Sequence, residues 1–389
     1  MTAGRDLDII VYGATGFTGR LVAEYLAHDY KGRKDAPKWA MAGRSLDKLA
    51  EVRDLIGASE ETPLIVADAS DPASLDAMAA STRVVLTTVG PYQLYGNELV
   101  AACVRAGTAY ADLCGEPGWM REMIDEHEAS AKASGARITF SCGFDSIPFD
   151  LGVLFLQAEA VKRHGKPAPR VKGRVRKMAG GASGGTIASL TETLKAIAKK
   201  PSLALLLKSS FALTPGFEGP SQPTGLMPEY DSATGTWTAP FVMAPINTKN
   251  VHRTNFLLGH KWGDDLVYDE MVMTTIGDAG KAMAEAMAKA NPFDPSIKPG
   301  EGPSKEARES GFYDVLFIGE YPDGTTVRAS VQGDRDPGYG STSKMLAETG
   351  IALLENKGAG GVWTPGALLG DALIARLTAY AGLTFQIEE

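Results

Sequence analysis

Near the start of this 389-residue chain, three glycines stand three residues apart in "IIVYGATGFTGR" (Ile9 to Arg20). Glycine in that rhythm suits a backbone that must approach a ligand closely. "LDIIVY" reads as a strand, "GATG" as a turn and "FTGRLVAEYLA" as a helix. Gly13 lets the chain turn off the strand, Gly16 removes a side chain where a pyrophosphate would rest, and Gly19 lets the helix pack on the sheet. Ala14, Thr15, Phe17 and Thr18 complete the turn and the helix start. The free N–H groups and partial positive charge of that helix start favour phosphate. The ligand expected is a dinucleotide, although the spacing G-x-x-G-x-x-G departs from the G-x-G-x-x-G of many NAD sites.

The second strand separates the two dinucleotides. NAD sites commonly end this strand on an acid that accepts from the ribose 2′-OH. This one ends "WAMAGRS", with Gly43, Arg44 and Ser45 and no acid. Arg44 can bind a 2′-phosphate bidentately and stack on adenine, so NADP(H) is the expected cofactor. Asp68, in "IVADAS", is placed to meet the adenine or to cap a helix. Val89, Gly90 and Pro91, in "TTVGPY", would pass under the cofactor, and Tyr92 would lie near the nicotinamide. Ligands sit outside the carboxyl ends of such strands, so "ADLCGE" (Ala111 to Glu116) and "SCGFDSIP" (Ser141 to Pro148) should flank the reaction site.

Tyr92 is the first candidate for a catalytic hydrogen-bond donor; a ring packed against the nicotinamide or a dimer partner is its alternative. Asp145 and Ser146 are candidates for positioning substrate, with helix capping as theirs. Asp112 and Glu116 are weaker, and Cys114 and Cys142 need be only small buried residues. The five histidines are scattered; His252 alone has polar company, in Asn250, Arg253 and Asn255. No metal site is expected, because no His/Cys/carboxylate grouping has ligand spacing.

The elements that must hold these residues alternate. Strand candidates are Asp8 to Tyr12, Trp39 to Ala42, Leu64 to Ala67, Val84 to Val89, Ala109 to Leu113 and Ile138 to Ser141, with helical stretches between them. That is an α/β Rossmann-type doubly wound parallel sheet, assigned to residues 1–150. Residues 151–340 are less regular and contain a hairpin signal at Pro322-Asp323-Gly324, so they are expected to form an α+β substrate or dimerisation domain with antiparallel strands. Residues 341–389 are expected to be a helical segment packing back on the first domain. Pro215 to Pro240 and Asn291 to Gly311 read as long loops, either disordered connectors or lids. "PSLALLLKSSFAL" (Pro201 to Leu213) reads first as buried core, then as an acyl-chain wall, a dimer contact or a membrane contact.

Composition narrows the classes. A net charge of −8 with no polybasic block argues against nucleic acid. Three cysteines without a pairing pattern fit a reducing cytoplasm. No leader-like segment or membrane-length apolar run is evident.

With "VYGATGFTG", "AGR", "TTVGPY", "YADLCGE" and "GFDSIPFDLG" in this order, the chain resembles the saccharopine dehydrogenase-like oxidoreductases. Within them it is most similar to the trans-acting enoyl reductases of actinobacterial lipid synthesis and the animal saccharopine dehydrogenase-like proteins. The similarity is clearest over residues 8 to 155 and continues through "APFVMAPINTKNVHRTNFLLG", "GYGSTSKM" and "GVWTPGALLG". The resemblance implies an NADP-binding domain, a C-terminal substrate domain and reduction of a C=C bond in a carrier-bound acyl chain. Under it, Arg253 becomes a candidate for a phosphopantetheine phosphate. The chain departs from saccharopine dehydrogenases themselves in its glycine spacing and middle region, and lacks an Arg/His cluster for a dicarboxylate.

The expected function is therefore an NADPH-dependent oxidoreductase, a trans-acting enoyl reductase working on an acyl thioester in lipid or polyketide synthesis. Two readings stay open beside it: a saccharopine-type imine dehydrogenase, and a non-catalytic NADP-binding protein associated with lipid. Expected partners are a small-molecule or carrier-bound acyl substrate, an acyl carrier protein, a second copy of the chain and a peripheral membrane contact. A cytoplasmic location, extending to the membrane periphery, goes with them.

Overall fold

In the computed structural model, residues 5–180, 184–199, 201–290 and 301–389 are described. The six expected strands of the first domain are present as β1 (Leu7–Tyr12), β2 (Trp39–Gly43), β3 (Leu64–Val66), β4 (Thr82–Thr87), β5 (Ala109–Ala111) and β6 (Arg137–Thr139). Ile9, Ile10 and Val11, like Val84, Val85 and Leu86, are fully buried, as parallel strands covered on both faces must be. Helices start where the sequence offers caps: the Ser45 hydroxyl accepts from the Lys48 N–H, and the Asp71 carboxylate from the Ala73 N–H.

The remaining strands are β7 (Arg170–Ala179), β8 (Glu229–Asp231), β9 (Thr236–Pro240), β10 (Val267–Met273), β11 (Phe312–Glu320), β12 (Thr326–Gly333), β13 (Gly361–Trp363) and β14 (Leu383–Glu388). The first sheet runs β13-β6-β5-β4-β1-β2-β3, all parallel. Its strand order reverses at β1, so the ligand crevice opens at the carboxyl ends of β1 and β4. The second sheet runs β14-β12-β11-β7-β10-β9-β8; β7 and β10 are parallel and the other neighbours antiparallel. β11 and β12 form the hairpin signalled by Pro322-Asp323-Gly324, with Gly324 at φ +85°.

Two long-loop expectations change. Pro215 to Pro240 carries β8 and β9, strands of three and five residues that are too short for their alternation to show among Pro and Gly. Of Asn291 to Gly311, residues 291–300 lie outside the described residues, and Lys305–Ser310 is a short helix.

Beyond residue 341, the helix Thr342–Glu355 packs on the helix Phe17–Asp29 and on β4. Fully buried Glu348 ties that contact, accepting from the Tyr25 hydroxyl (2.7 Å), the Tyr30 hydroxyl (2.6 Å) and Arg376 Nε (2.8 Å). Besides its helices, this segment gives one strand to each sheet: β13 to the first and β14 to the second. No helix among the described residues is long and apolar enough to cross a membrane.

Candidate active site between the two sheets

The glycine loop is shaped by close approach. Gly13 has φ +88°, and a Cβ there would meet Val89 Cγ2 at 2.7 Å. A Cβ on Gly19 would run into the Gly13 carbonyl, so the helix can lie on the loop only because that Cβ is missing. Ala14 is buried, its N–H donating to the Ala42 carbonyl, while Thr15 and Gly16 are exposed. Gly16 is the N-cap of the helix Phe17–Asp29 and provides no side-chain cap, so the first-turn N–H groups, from Phe17 and Thr18 onward, are left for a ligand. The Phe17 ring sits edge-on to Tyr339, with ring centres 5.2 Å apart, and 5.5 Å from the Arg308 guanidinium.

Around this loop lie the other expected cofactor residues. Gly43 is buried at the end of β2, Arg44 is exposed just beyond it, and Ser45 caps the next helix. Asp68 accepts from the Ser70 N–H and hydroxyl, which hold its carboxyl below its ordinary range. Val89 and Pro91 are half-buried and Gly90 is exposed, past the end of β4. An uncapped helix start, a missing Cβ and an exposed arginine fit a dinucleotide carrying a 2′-phosphate.

Tyr92 departs from the expectation of a substrate-facing donor. Its ring is buried; its hydroxyl donates to the Thr87 carbonyl (3.3 Å) and accepts from the Leu113 N–H (3.1 Å). The single proton is therefore engaged inside the protein. Glu116, also buried, accepts from the N–H groups of Tyr92 and Gln93, both at 2.9 Å, fixing the turn after β4. Asp112 accepts from the Tyr110 hydroxyl and from the N–H groups of Cys114 and Ser141; burial pushes its carboxyl to about 7. Cys114 and Cys142 are fully buried, and burial raises both thiols.

After β6 the arrangement is different. Ser146 starts the helix Ile147–His164, yet its hydroxyl makes no cap; it accepts instead from Asn250 Nδ2 at 2.8 Å. Asn247, one turn earlier on the same face of the helix Ala244–Leu257, donates to Glu270 Oε2 at 2.9 Å. Glu270 also accepts from the Tyr268 hydroxyl at 2.8 Å, and burial raises its carboxyl well above the usual range. Half-buried Asp145 adds to the rise of Glu270, and desolvation pushes its own carboxyl up to about 7. The loop from the first sheet and the helix under the second thus bring two carboxyls of raised pKa and two buried amides together.

Comparison with known proteins agrees with this geometry. Residues 9–138 match the model of the saccharopine dehydrogenase NADP-binding domain. A Mycobacterium bovis trans-acting enoyl reductase is 37% identical, covering 96% of both chains. A Mycobacterium ulcerans protein of the same name is 36% identical over 97% of this chain and 96% of its own. A Mycobacterium tuberculosis relative, provisionally given that name, is 41% identical over 98% of this chain and 97% of its own. The chain belongs to the trans-acting enoyl reductase family. The fold is shared with yeast saccharopine dehydrogenase (L-Glu forming), at a TM-score of 0.55 and 12% identity over 98% of this chain and 100% of that one. The protein is an NADP(H)-dependent oxidoreductase.

For this family member, the structure removes some candidates and adds others. Arg253 is buried, donating to the carbonyls of Leu213 and Val362, both at 2.6 Å, and lies 3.7 Å from Glu128. It clamps backbone, which leaves no fork for a phosphopantetheine phosphate. His252 packs against the Phe211 ring, and burial lowers its imidazole to about 3, so it is neutral. Asn255 pairs with the Gly263 carbonyl and the Trp262 N–H. Of the segment Pro201 to Leu213, Phe211, Ala212 and Leu213 are buried, whereas Leu205 is 72% exposed. Sequence reading missed Asn247 and Glu270; the only signal was an excess of polar residues in "APINTKNVHRTNFL", a helix whose residues from Asn247 to Asn255 are nearly all buried.

Proposed function

We propose that the protein reduces the carbon–carbon double bond of an acyl thioester, acting in trans on a substrate from lipid or polyketide synthesis. The observation that carries this reading is the 36–41% identity, over nearly the whole chain, to proteins named for that activity. NADPH, when bound, supplies the hydride. The chain's own residues have three tasks: to hold the dinucleotide, to stabilise negative charge on the thioester oxygen, and to deliver a proton to the α-carbon. Gly13, Gly16 and Gly19, with the helix start and Arg44, perform the first. Asp145 suits the third, since a carboxyl that titrates near 7 is partly protonated at neutral pH and can both hold a proton and give it up. Ser146 and Asn250, joined by their hydrogen bond, would orient the acyl group beside it. Leu94 and Tyr95, about half exposed beyond Tyr92, provide an apolar rim for the chain of the substrate.

NADPH oxidation by the purified protein with trans-2-enoyl thioesters, on CoA and on an acyl carrier protein, tests the reading. Turnover on either is the expected result. Silence on both, with NADPH still bound, would overturn it; oxidation of NADPH with an amine and a keto acid would then point to imine chemistry.

A further inference from the structure

Between the β11–β12 hairpin and the helix Thr342–Glu355, Pro337–Ser341 forms a single turn of π-helix, a conformation that clusters at functional sites. Fully buried Asp336 holds the turn together. Its carboxylate accepts from the N–H groups of Tyr339 (3.1 Å) and Gly340 (2.6 Å), and its carbonyl accepts from the Ser341 N–H (2.9 Å).

This turn touches both loops of the site. At one end the buried Tyr339 ring meets the Phe17 ring edge-on, with centres 5.2 Å apart. Phe17 opens the helix after the glycine loop, where N–H groups are left for phosphate. At the other end, Thr342 Oγ1 accepts from the Phe144 N–H at 2.9 Å and donates to the Pro337 carbonyl at 2.7 Å. Phe144 immediately precedes Asp145. A Cβ on Gly143 would stand 2.9 Å from Thr342 Cγ2, so the Asp145 loop leans directly on this side chain. The second sheet closes the contact: the Tyr313 and Ser341 hydroxyls are 3.0 Å apart, and the Phe144 ring packs on Tyr313 with centres 4.9 Å apart.

Reduction of an enoyl thioester puts a hydride on the β-carbon and a proton on the neighbouring α-carbon. The two donors must therefore keep one separation, and a misplacement of about 1 Å can cost about a hundredfold in rate. We propose that the turn at residues 336–342 sets the spacing between the cofactor loop and the Asp145 loop, with Thr342 as the positioning residue for Asp145. For its chemistry the inference rests on the enoyl reductase reading above; the coupling of the two loops stands apart from it.

Thr342→Val removes the hydroxyl at nearly equal shape, and Thr342→Ser keeps it. With enoyl thioesters, kcat of the Val variant should fall about thirtyfold, with NADPH affinity within about twofold and the Ser variant within about threefold of the parent. The solvent deuterium isotope effect on kcat should rise in Thr342→Val, because proton delivery is the step that loosens. Turnover of the Val variant within about threefold of the parent, or an equal loss in Val and Ser, would overturn the proposal. Amide hydrogen exchange reads the coupling without turnover. NADP⁺ should slow exchange over residues 142–146 and over the glycine loop in the parent and in Thr342→Ser, but over the glycine loop alone in Thr342→Val. Tyr339→Leu cuts the contact at the other end and should uncouple the loops in the same way, so it decides the matter if the Val variant does not fold. If the parent is silent on every enoyl thioester, the enoyl reductase reading fails and exchange still decides the spacer. Slowing over residues 142–146 that survives these substitutions, or that is missing from the parent, overturns it.

Discussion

The loop Gly13 to Gly19 and the helix Ala244–Leu257 supply the two sides of the proposed site, and they are built from opposite materials. The loop works through backbone: a left-handed Gly13, an uncapped helix start and a missing Cβ at Gly19. The helix works through side chains: Asn247 and Asn250 are buried, with polar atoms that the rest of the protein leaves partly unfilled. Backbone geometry binds what every reaction of this fold needs, a dinucleotide. Buried side chains of uneven pairing suit a particular substrate, at some expense in stability.

The contrast can be broken hardest at Gly19. Gly19→Val should cut NADPH affinity more than about a hundredfold, because the new side chain meets the Gly13 carbonyl and overpacking against backbone has no cheap relief. Titration of NADPH fluorescence measures it, and near-parent affinity would mean the loop can re-form around a side chain.

On the other side, Asp145→Asn should lower kcat about a hundredfold with NADPH binding unchanged. The pH dependence has a definite sign. The Asp145 carboxyl titrates at about 7 in the folded protein against about 3.9 in an unfolded chain. Between those values the folded state keeps a proton that the unfolded state has lost, so this group makes stability fall as pH rises from about 4 to about 7. Turnover should likewise fall as pH rises above about 7, and the Asn variant should lose that limb. A limb that persists in Asp145→Asn would assign the proton to another acid, Glu270 first.

A smaller effect is expected at Arg44. Arg44→Asp should weaken NADPH binding by about ten- to a hundredfold and leave NADH binding little changed, since only the 2′-phosphate distinguishes them. Equal loss for both nucleotides would sink the 2′-phosphate assignment. Smallest in turnover is Tyr92→Phe. Its hydroxyl serves Thr87 and Leu113, so kcat should stay within about threefold while stability falls by about 1–2 kcal/mol, from a buried N–H left without its acceptor. A large loss of kcat at unchanged stability would return Tyr92 to the reaction.

How far the sequence could be read follows the same division. The six parallel strands, the caps at Ser45 and Asp71 and the hairpin at Gly324 were legible, because each is decided by residues a few positions apart. Asp145 and Ser146 were legible as candidates through their place after a strand. Their company was not: Asn250 is 104 residues from Ser146, and Asn247 reaches Glu270 across 23. The helix Ala244–Leu257 has no clean apolar stripe, because both of its faces are buried and both carry polar groups. Tyr92 misled for a related reason, since its position was readable and the direction of its hydroxyl was not.

By itself, then, the sequence determined the dinucleotide-binding half: local spacing fixes a strand, a tight turn and a helix start, and phosphate binding follows from backbone alone. Only the tertiary structure brought together the proposed substrate half. Whether Asp145 or Glu270 is charged, paired or poised depends on which distant elements surround it and exclude water, and desolvation has no signature in local sequence.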